Sequence, residues 1–258
     1  MKRLVIVVLA SILSMTVFAE GYQVNLLSTK QTGMGHVGTG MKLGAESMHF
    51  NPAGLVFLRT NMDFSLGISA IMAKAKYSYD GYSAKTDNPV GTPLYAYAGF
   101  KIYDNLAAGI SLTTPYGNSL KWPKNWAGAG LIQDISLKSY VIQPTLSYKI
   151  TDRLSIGVGL QLAWGNVNLS RALMGASDLQ GIGTKFESLL PLLAGVPSDV
   201  IPDADKQLMQ EMVTLMKNTE VPPAYARLEG NAHMRVGFNV GIMYDVCDKV
   251  TVGLSYRS

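Results

Sequence analysis

From position 154 the chain alternates strictly. Leu154, Ile156, Val158, Leu160, Leu162 and Trp164 are bulky and apolar, while Ser155, Gly157, Gly159, Gln161, Ala163 and Gly165 between them are small or polar. A period of two kept over about eleven residues matches the length of a tilted transmembrane strand. The same alternation recurs over 62–69, 106–113, 139–150, 236–244 and 250–256, with a less regular run over 92–103, so the pattern predicts seven strands. Periodicity alone does not say which face is buried, but the connections do. Tight turns at 103–105, 151–153 and 245–249 alternate with long links at 80–91, 116–134 and 172–226. Short turns on one side and long loops on the other are the arrangement of outer-membrane barrels. Tyr103, Tyr148, Trp164 and Tyr256 stand near strand ends, as interfacial aromatics do. A soluble β-sandwich with one long insertion is the competing architecture. Pro144 falls on the apolar parity of its strand, where a missing ladder donor predicts a bulge or local unpairing; a strand proline is most often an edge or bulge residue, and in a barrel such a break could also open the wall.

Composition narrows the setting. Of 258 residues 48% are hydrophobic and 16% charged, against about 25% charged in ordinary soluble domains. The formal net charge of +4 is too small a bias for nucleic acid, and it falls further without Lys2 and Arg3. Those two residues begin a leader: a basic start, an apolar run from Leu4 to Leu13, and small residues Val17 and Ala19 ahead of a cleavage point. Residues 1–19 are therefore expected to be a secretory signal peptide, leaving a mature chain that begins at Glu20. No later stretch reaches the length of a spanning helix. An exported apolar chain of this kind is either periplasmic and soluble or a barrel in an outer membrane. The single Cys247 excludes an internal disulfide.

Residues 20–61 keep no period, and Gly33, Gly35, Gly38, Gly40 and Gly44 crowd a short stretch, as in a compact plug. Gly33 to Gly38 matches the G-x-G-x-x-G spacing but lacks the strand before and the helix after that a dinucleotide site requires. Asn51-Pro52-Ala53-Gly54 reads as a turn, with the Asn side chain bonded to backbone and φ set by Pro. The opening Glu20 to Asn25, the Gly-rich run, this Asn-Pro-Ala motif, the strand from Met62, the stretch 155–171 and the ending Val252 to Ser258 together resemble the FadL-like long-chain fatty acid transport proteins of Gram-negative outer membranes. The resemblance implies an all-β fold: a monomeric, fourteen-stranded transmembrane antiparallel β-barrel with an N-terminal hatch. Its implied route runs from an outer groove to an interior pocket and then sideways through a gap in the wall. Glu20, Gly21 and Tyr22 are implied to reach the pocket and to move with ligand, beside the hatch turn of Asn51, Pro52, Ala53 and Gly54. With seven strands, 62–258 corresponds to the N-terminal half of such a barrel, and the chain is expected to be a fragment.

The side chains favour binding over chemistry. His36, His49 and His233 are scattered without metal-ligand spacing, and no Gly-x-Ser-x-Gly elbow occurs. Beyond Gly165 the alternation inverts: Asn166, Asn168 and Ser170 take the outward parity, and Val167, Leu169 and Arg171 the inward one. An apolar wall with one cation suits a fatty carboxylate, and Arg171 falls where the resemblance implies a carboxylate-binding arginine; a one-residue slip would instead make it an interfacial arginine. In the long outer link, 203–217 predicts an amphipathic helix with Leu208, Met212, Leu215 and Met216 on one face, placed to capture ligand or to pack on an apolar neighbour at 187–193. The function expected is passive uptake of hydrophobic small molecules, fatty acids or aromatic hydrocarbons, by a barrel set in outer-membrane lipid. Neither cofactor nor nucleic-acid partner is expected. An adhesive or structural barrel binding a partner through its loops, and a barrel lipid hydrolase using His233, are the alternatives.

Overall fold

The structure is a computed structural model and describes residues 23–220, 222 and 224–258. The expected leader and Glu20, Gly21 and Tyr22 lie outside the described residues. Among the described residues ten strands form: β1 (Met62–Ile68), β2 (Lys76–Tyr79), β3 (Tyr82–Lys85), β4 (Leu94–Tyr103), β5 (Leu106–Thr113), β6 (Gly117–Lys121), β7 (Asp134–Lys149), β8 (Leu154–Ala172), β9 (Tyr225–Cys247) and β10 (Val250–Arg257). Four α-helices accompany them: α1 (Thr29–Gly33), α2 (Ser47–Phe50), α3 (Ala176–Ala194) and α4 (Asp203–Lys217). The main sheet is an antiparallel meander in the order β1-β4-β5-β7-β8-β9-β10, with β6 paired to β7 alone; β2 and β3 form a separate hairpin. Each of the seven periodic runs is a meander strand. The strands the alternation did not reveal, β2, β3 and β6, lie in the long links.

The two faces of this sheet are opposite in character to those of a soluble barrel. Leu66 is 81% exposed and Leu254 71%, whereas Ser155 and Asn239 are fully buried. Outward rows of Leu, Ile, Val and Phe this continuous would aggregate in water, so the solvent they face is hydrocarbon. Among the described residues no helix is long and apolar enough to cross a membrane. The crossing elements are strands, whose backbone groups pair with neighbours rather than with water.

The inner face is small and polar because a second layer lies on it. Residues 23–61 fold as α1, α2 and two 3-10 turns, Gly44–Glu46 and Pro52–Phe57. Their apolar members Ala45, Met48, Leu55, Val56 and Leu58 form one core with Tyr95, Tyr97 and Ala107 of the wall. Gly157 of β8 faces Gly241 of β9. A Cβ at Gly157 would strike the Pro52–Ala53 backbone, and one at Gly241 the Asn51 side chain. Glycine on the inward parity is thus what lets the hatch backbone approach the sheet.

Pro144 is neither an edge nor a bulge residue; of the outcomes expected from sequence, local unpairing is the one found, since Gln143 and Pro144 have no register partner on β8. It lies on the outward parity of an internal strand opposite Ile110 of β5, and the β7–β8 register is the same on either side of it, with Ile142 facing Leu162 and Thr145 facing Gly159. A strand can carry a proline without slipping when its remaining ladder bonds hold. Nor is there a slip in β8: its register to β7 is the same from Asp134 to Lys149, interrupted at Gln143 and Pro144 but not shifted. The bulge is in β9, where Ala163 faces Arg235 but Gly165 faces Ala232.

Candidate functional site

The hatch is seated by side-chain bonds from the polar inner face. Asn51 caps the Pro52–Phe57 turn by accepting from the Ala53 N–H at 3.1 Å, and its amide donates to the carbonyls of Thr39 at 2.8 Å and Ile242 at 3.1 Å. Ser155 and Ser147 donate to the Ala53 carbonyl at 2.9 and 3.1 Å. The Met48 carbonyl accepts from Gln143 at 2.6 Å and from Asn239 at 3.1 Å. Buried Glu46 accepts from Ser28 and from Ser65 of β1, each at 2.6 Å. A helical turn placed inside a barrel must satisfy its free backbone groups there, and the wall supplies the partners.

On the same inner face Arg257 of β10 reaches the hatch. Its guanidinium donates to the His49 carbonyl and lies 3.2 Å from His49 Nε2. Burial, and then the adjacent Arg257 cation, hold the His49 imidazole well below its ordinary range, so it is neutral and can accept that bond. Around them a polar cavity of about 280 Å³ is lined by Gln23, Asn25, His36, Thr39 and Ser255. Neither Arg257 nor His49 was singled out from sequence. The signal was present for Arg257: counted one step past Thr251, Gly253 and Ser255, the inward parity of the last strand ends on a cation.

The wall is interrupted beside this cavity. β5 ends at Thr113 opposite Val141, and β6 begins at Gly117 opposite Lys138. Between them Thr114, Pro115 and Tyr116 stand opposite Ser139 and Tyr140, with the Ser139 N–H donating to the Tyr116 carbonyl at 3.1 Å; on the other side Thr114 still donates to the Leu94 carbonyl at 3.2 Å, and Pro115 has no N–H to continue that ladder. The opening that the sequence allowed at Pro144 is not found there; the interruption lies here, in the preceding meander strand. The N-terminal segment fills it: Val24 N–H donates to the Pro115 carbonyl at 2.7 Å, and Gln23 bridges to Tyr116. A second cavity, of about 290 Å³, opens at this point, lined by Val24, Ile71, Leu94, Tyr116, Leu137 and Tyr140 among others. Gln23 and Asn25 line the polar cavity while Val24 lines the wall cavity, so alternate side chains of one extended segment separate the two.

The residues expected from sequence fall in three places. Val167, Leu169 and Arg171 share the inward parity of the outer end of β8, opposite Gly230, Leu228 and Ala226. Leu137 and Ile135 of β7 continue that apolar patch, facing Val167 and Leu169. Pro52 and Ala53 sit against Gly157, about 45 Å along β8 from Arg171 at about 3.3 Å per residue, with Asn51 against Gly241 and Gly54 against Ser47 and Met243. Leu208, Met212 and Leu215 form the face of α4 turned away from α3; they are exposed, whereas Val213 is buried and Met216 meets Gly183 of α3. The two helices are tied by Lys217 and Glu187 at 2.7 Å. The structure does not bring these three groups into one pocket. His233 sits at the β9 bulge, with no hydroxyl bonded to it among the described residues.

Residues 10–258 match the model of the outer membrane protein transport protein family (OMPP1/FadL/TodX). The chain belongs to this family. It is 25% identical over 257 residues to the long-chain fatty acid transport protein of Salmonella typhi, a match covering 97% of this chain and 53% of that protein. Among solved structures it is similar to a Pseudomonas aeruginosa FadL homologue, with a TM-score of 0.61 at 19% identity over 93% of this chain and 53% of the other. It is also similar to the Pseudomonas putida toluene transporter TodX, with a TM-score of 0.57 at 17% identity over 93% and 55%. The chain spans about half the length of the curated relatives it matches. The fold is accordingly that of outer-membrane β-barrels, and the outward apolar rows lie in that membrane.

Proposed function

We propose that this chain forms the N-terminal half, 62–258, of an outer-membrane pore that passes hydrophobic molecules, with 20–61 as its hatch, and that long-chain fatty acids are its principal cargo. The relatives' names, a fatty acid transporter and a toluene transporter, support the hydrophobic class. Arg171 in an apolar inward patch supports a carboxylate. Capture begins on the exposed Leu208, Met212 and Leu215 face of α4, and the apolar outer lumen at Val167 and Leu169 receives the chain while Arg171 offers a charge-assisted bond to its head. The hatch at Asn51–Gly54 blocks straight passage, so the exit is sideways, between β6 and the links that precede β4. No coupling to an energy source is needed for transfer from water to hydrocarbon, which is downhill for an acyl chain.

The observation that carries this reading is the wall break closed by Val24 rather than by a strand. Pairing of Gln23 with Tyr116 is a single bridge and is easily broken, whereas a full ladder is not. Val24→Cys with Gly117→Cys, in a Cys247→Ser background and in the full-length protein, locks this segment to β6. Oxidation should abolish uptake of labelled oleate into proteoliposomes and reduction should restore it. Uptake unchanged by oxidation would contradict lateral exit.

A further inference from the structure

The cavity in the wall has an end that is not apolar. Among the described residues Lys138 is the one cation that lines it, and no carboxylate does. Lys138 lies on the outward parity of β7, beside Asn166 of β8. The next outward residue toward the short turn is Tyr140, whose ring stacks on Trp164 of β8 at 5.9 Å. Beyond Lys138 the outward positions are Ser136 and Asp134 on β7, and Asn166, Asn168 and Ser170 on β8; below Tyr140 they are Ile142, Pro144 and Leu146. Lys138 thus stands at the level where the apolar belt gives way to polar side chains, the depth at which an ammonium meets head groups while its stem lies along hydrocarbon. The cavity beneath it runs from the hatch segment, at Val24, to that outer boundary. Its volume of about 290 Å³ is near the lower end for ligand pockets and accommodates one narrow chain rather than a two-tailed lipid.

We propose that the wall cavity is a binding site for a single-chain amphiphile with an anionic head. The Lys138 ammonium holds the head, and the tail lies against Leu94, Leu137 and Tyr140 on its way into the bilayer. The site rests on the lateral exit proposed above. It makes release selective by charge: a carboxylate pauses at the interface with its head still paired, whereas a neutral ring gains nothing from Lys138.

Photolabelling of the full-length protein in liposomes tests this directly, using palmitic acid with a diazirine near its carboxyl end and, in parallel, the methyl ester of the same probe. The acid should label the peptide containing residues 137–140. Lys138→Gln should reduce that labelling about tenfold, the value of one lost charge-assisted bond, while labelling of hatch peptides persists and Lys138→Arg restores most of the signal at the wall. The ester should label the wall weakly and equally in both proteins. Equal acid labelling in wild type and Lys138→Gln, or ester labelling as strong as acid labelling, would overturn the site while leaving lateral exit in place. Acid labelling of the hatch with none at the wall would overturn both, and labelling of neither would remove the transport reading as well.

Discussion

Asn51 does three things at once: it caps a turn, ties the hatch to itself through Thr39, and ties it to the wall through Ile242. It reaches the wall only because Gly241 presents no side chain. Asn51→Ala removes the cap and the two bonds to the Thr39 and Ile242 carbonyls, a loss of about 2–3 kcal/mol in the seating of the hatch. Amide exchange at Ala53 and Gly54 should accelerate by about 30-fold or more, while exchange in the centre of β8 stays unchanged. His49 adds a pH dependence whose sign is determined. Its folded state binds the proton less readily than an unfolded histidine of ordinary value 6.5, so hatch stability is full above that pH and is lost as pH falls below it. Protease cleavage within the hatch should rise as pH drops from 7 toward about 5, and His49→Gln should flatten that profile. A slope of equal size in the variant would assign the effect to other groups.

The strands were legible because one solvent acts along their whole membrane-spanning length, so every second residue has to be apolar. That signal stops where the bilayer stops. β7, β8 and β9 continue past it with polar groups outside and Leu137, Val167, Leu169 and Leu228 inside, and there the alternation reverses rather than ends. The reversal was visible on β8 as Asn166, Asn168 and Ser170. On β9 the bulge at 233–234 changes the phase, so its outer half read as part of a loop. The wall break was not legible because Pro144, a proline in a regular run, is conspicuous, whereas Pro115 stands in a stretch with no period to interrupt. At the hatch, Asn-Pro-Ala announced a turn, but its seat depends on Ser147, Ser155, Gln143 and Asn239, which in sequence are merely the polar half of an alternation. The helical pair was legible in pattern, but not which side chains meet α3: Met216, expected on the same face as Leu208, Met212 and Leu215, packs on Gly183. Val213 and Met216 serve the α3 contact, leaving Leu208, Met212 and Leu215 free. Changing those three to Ser should raise the oleate concentration for half-maximal uptake by about fivefold or more without altering the maximal rate, since capture and passage lie in different elements. A fall in maximal rate alone would place the helix in the passage step.

At the scale of the molecule the chain is ordered by two solvents. Hydrocarbon selects the bulky outward rows, and the hatch with its bound carbonyls selects the small and polar inward ones. The break at Thr114–Tyr116 is the place where these two environments meet without a strand between them, and it is there that the lateral exit is proposed. Everything therefore depends on which face touches lipid. Single nitroxide labels introduced by Cys at Leu66, Val158, Leu254, Ser65, Gly159 and Ser255, in Cys247→Ser full-length protein in bilayers, decide it by collision with oxygen, which concentrates in hydrocarbon, against a water-soluble nickel chelate. Labels at Leu66, Val158 and Leu254 should collide with oxygen and be shielded from nickel, and labels at Ser65, Gly159 and Ser255 should be shielded from oxygen. Oxygen contact on the second set, or nickel contact along the first, would contradict a lipid-facing barrel.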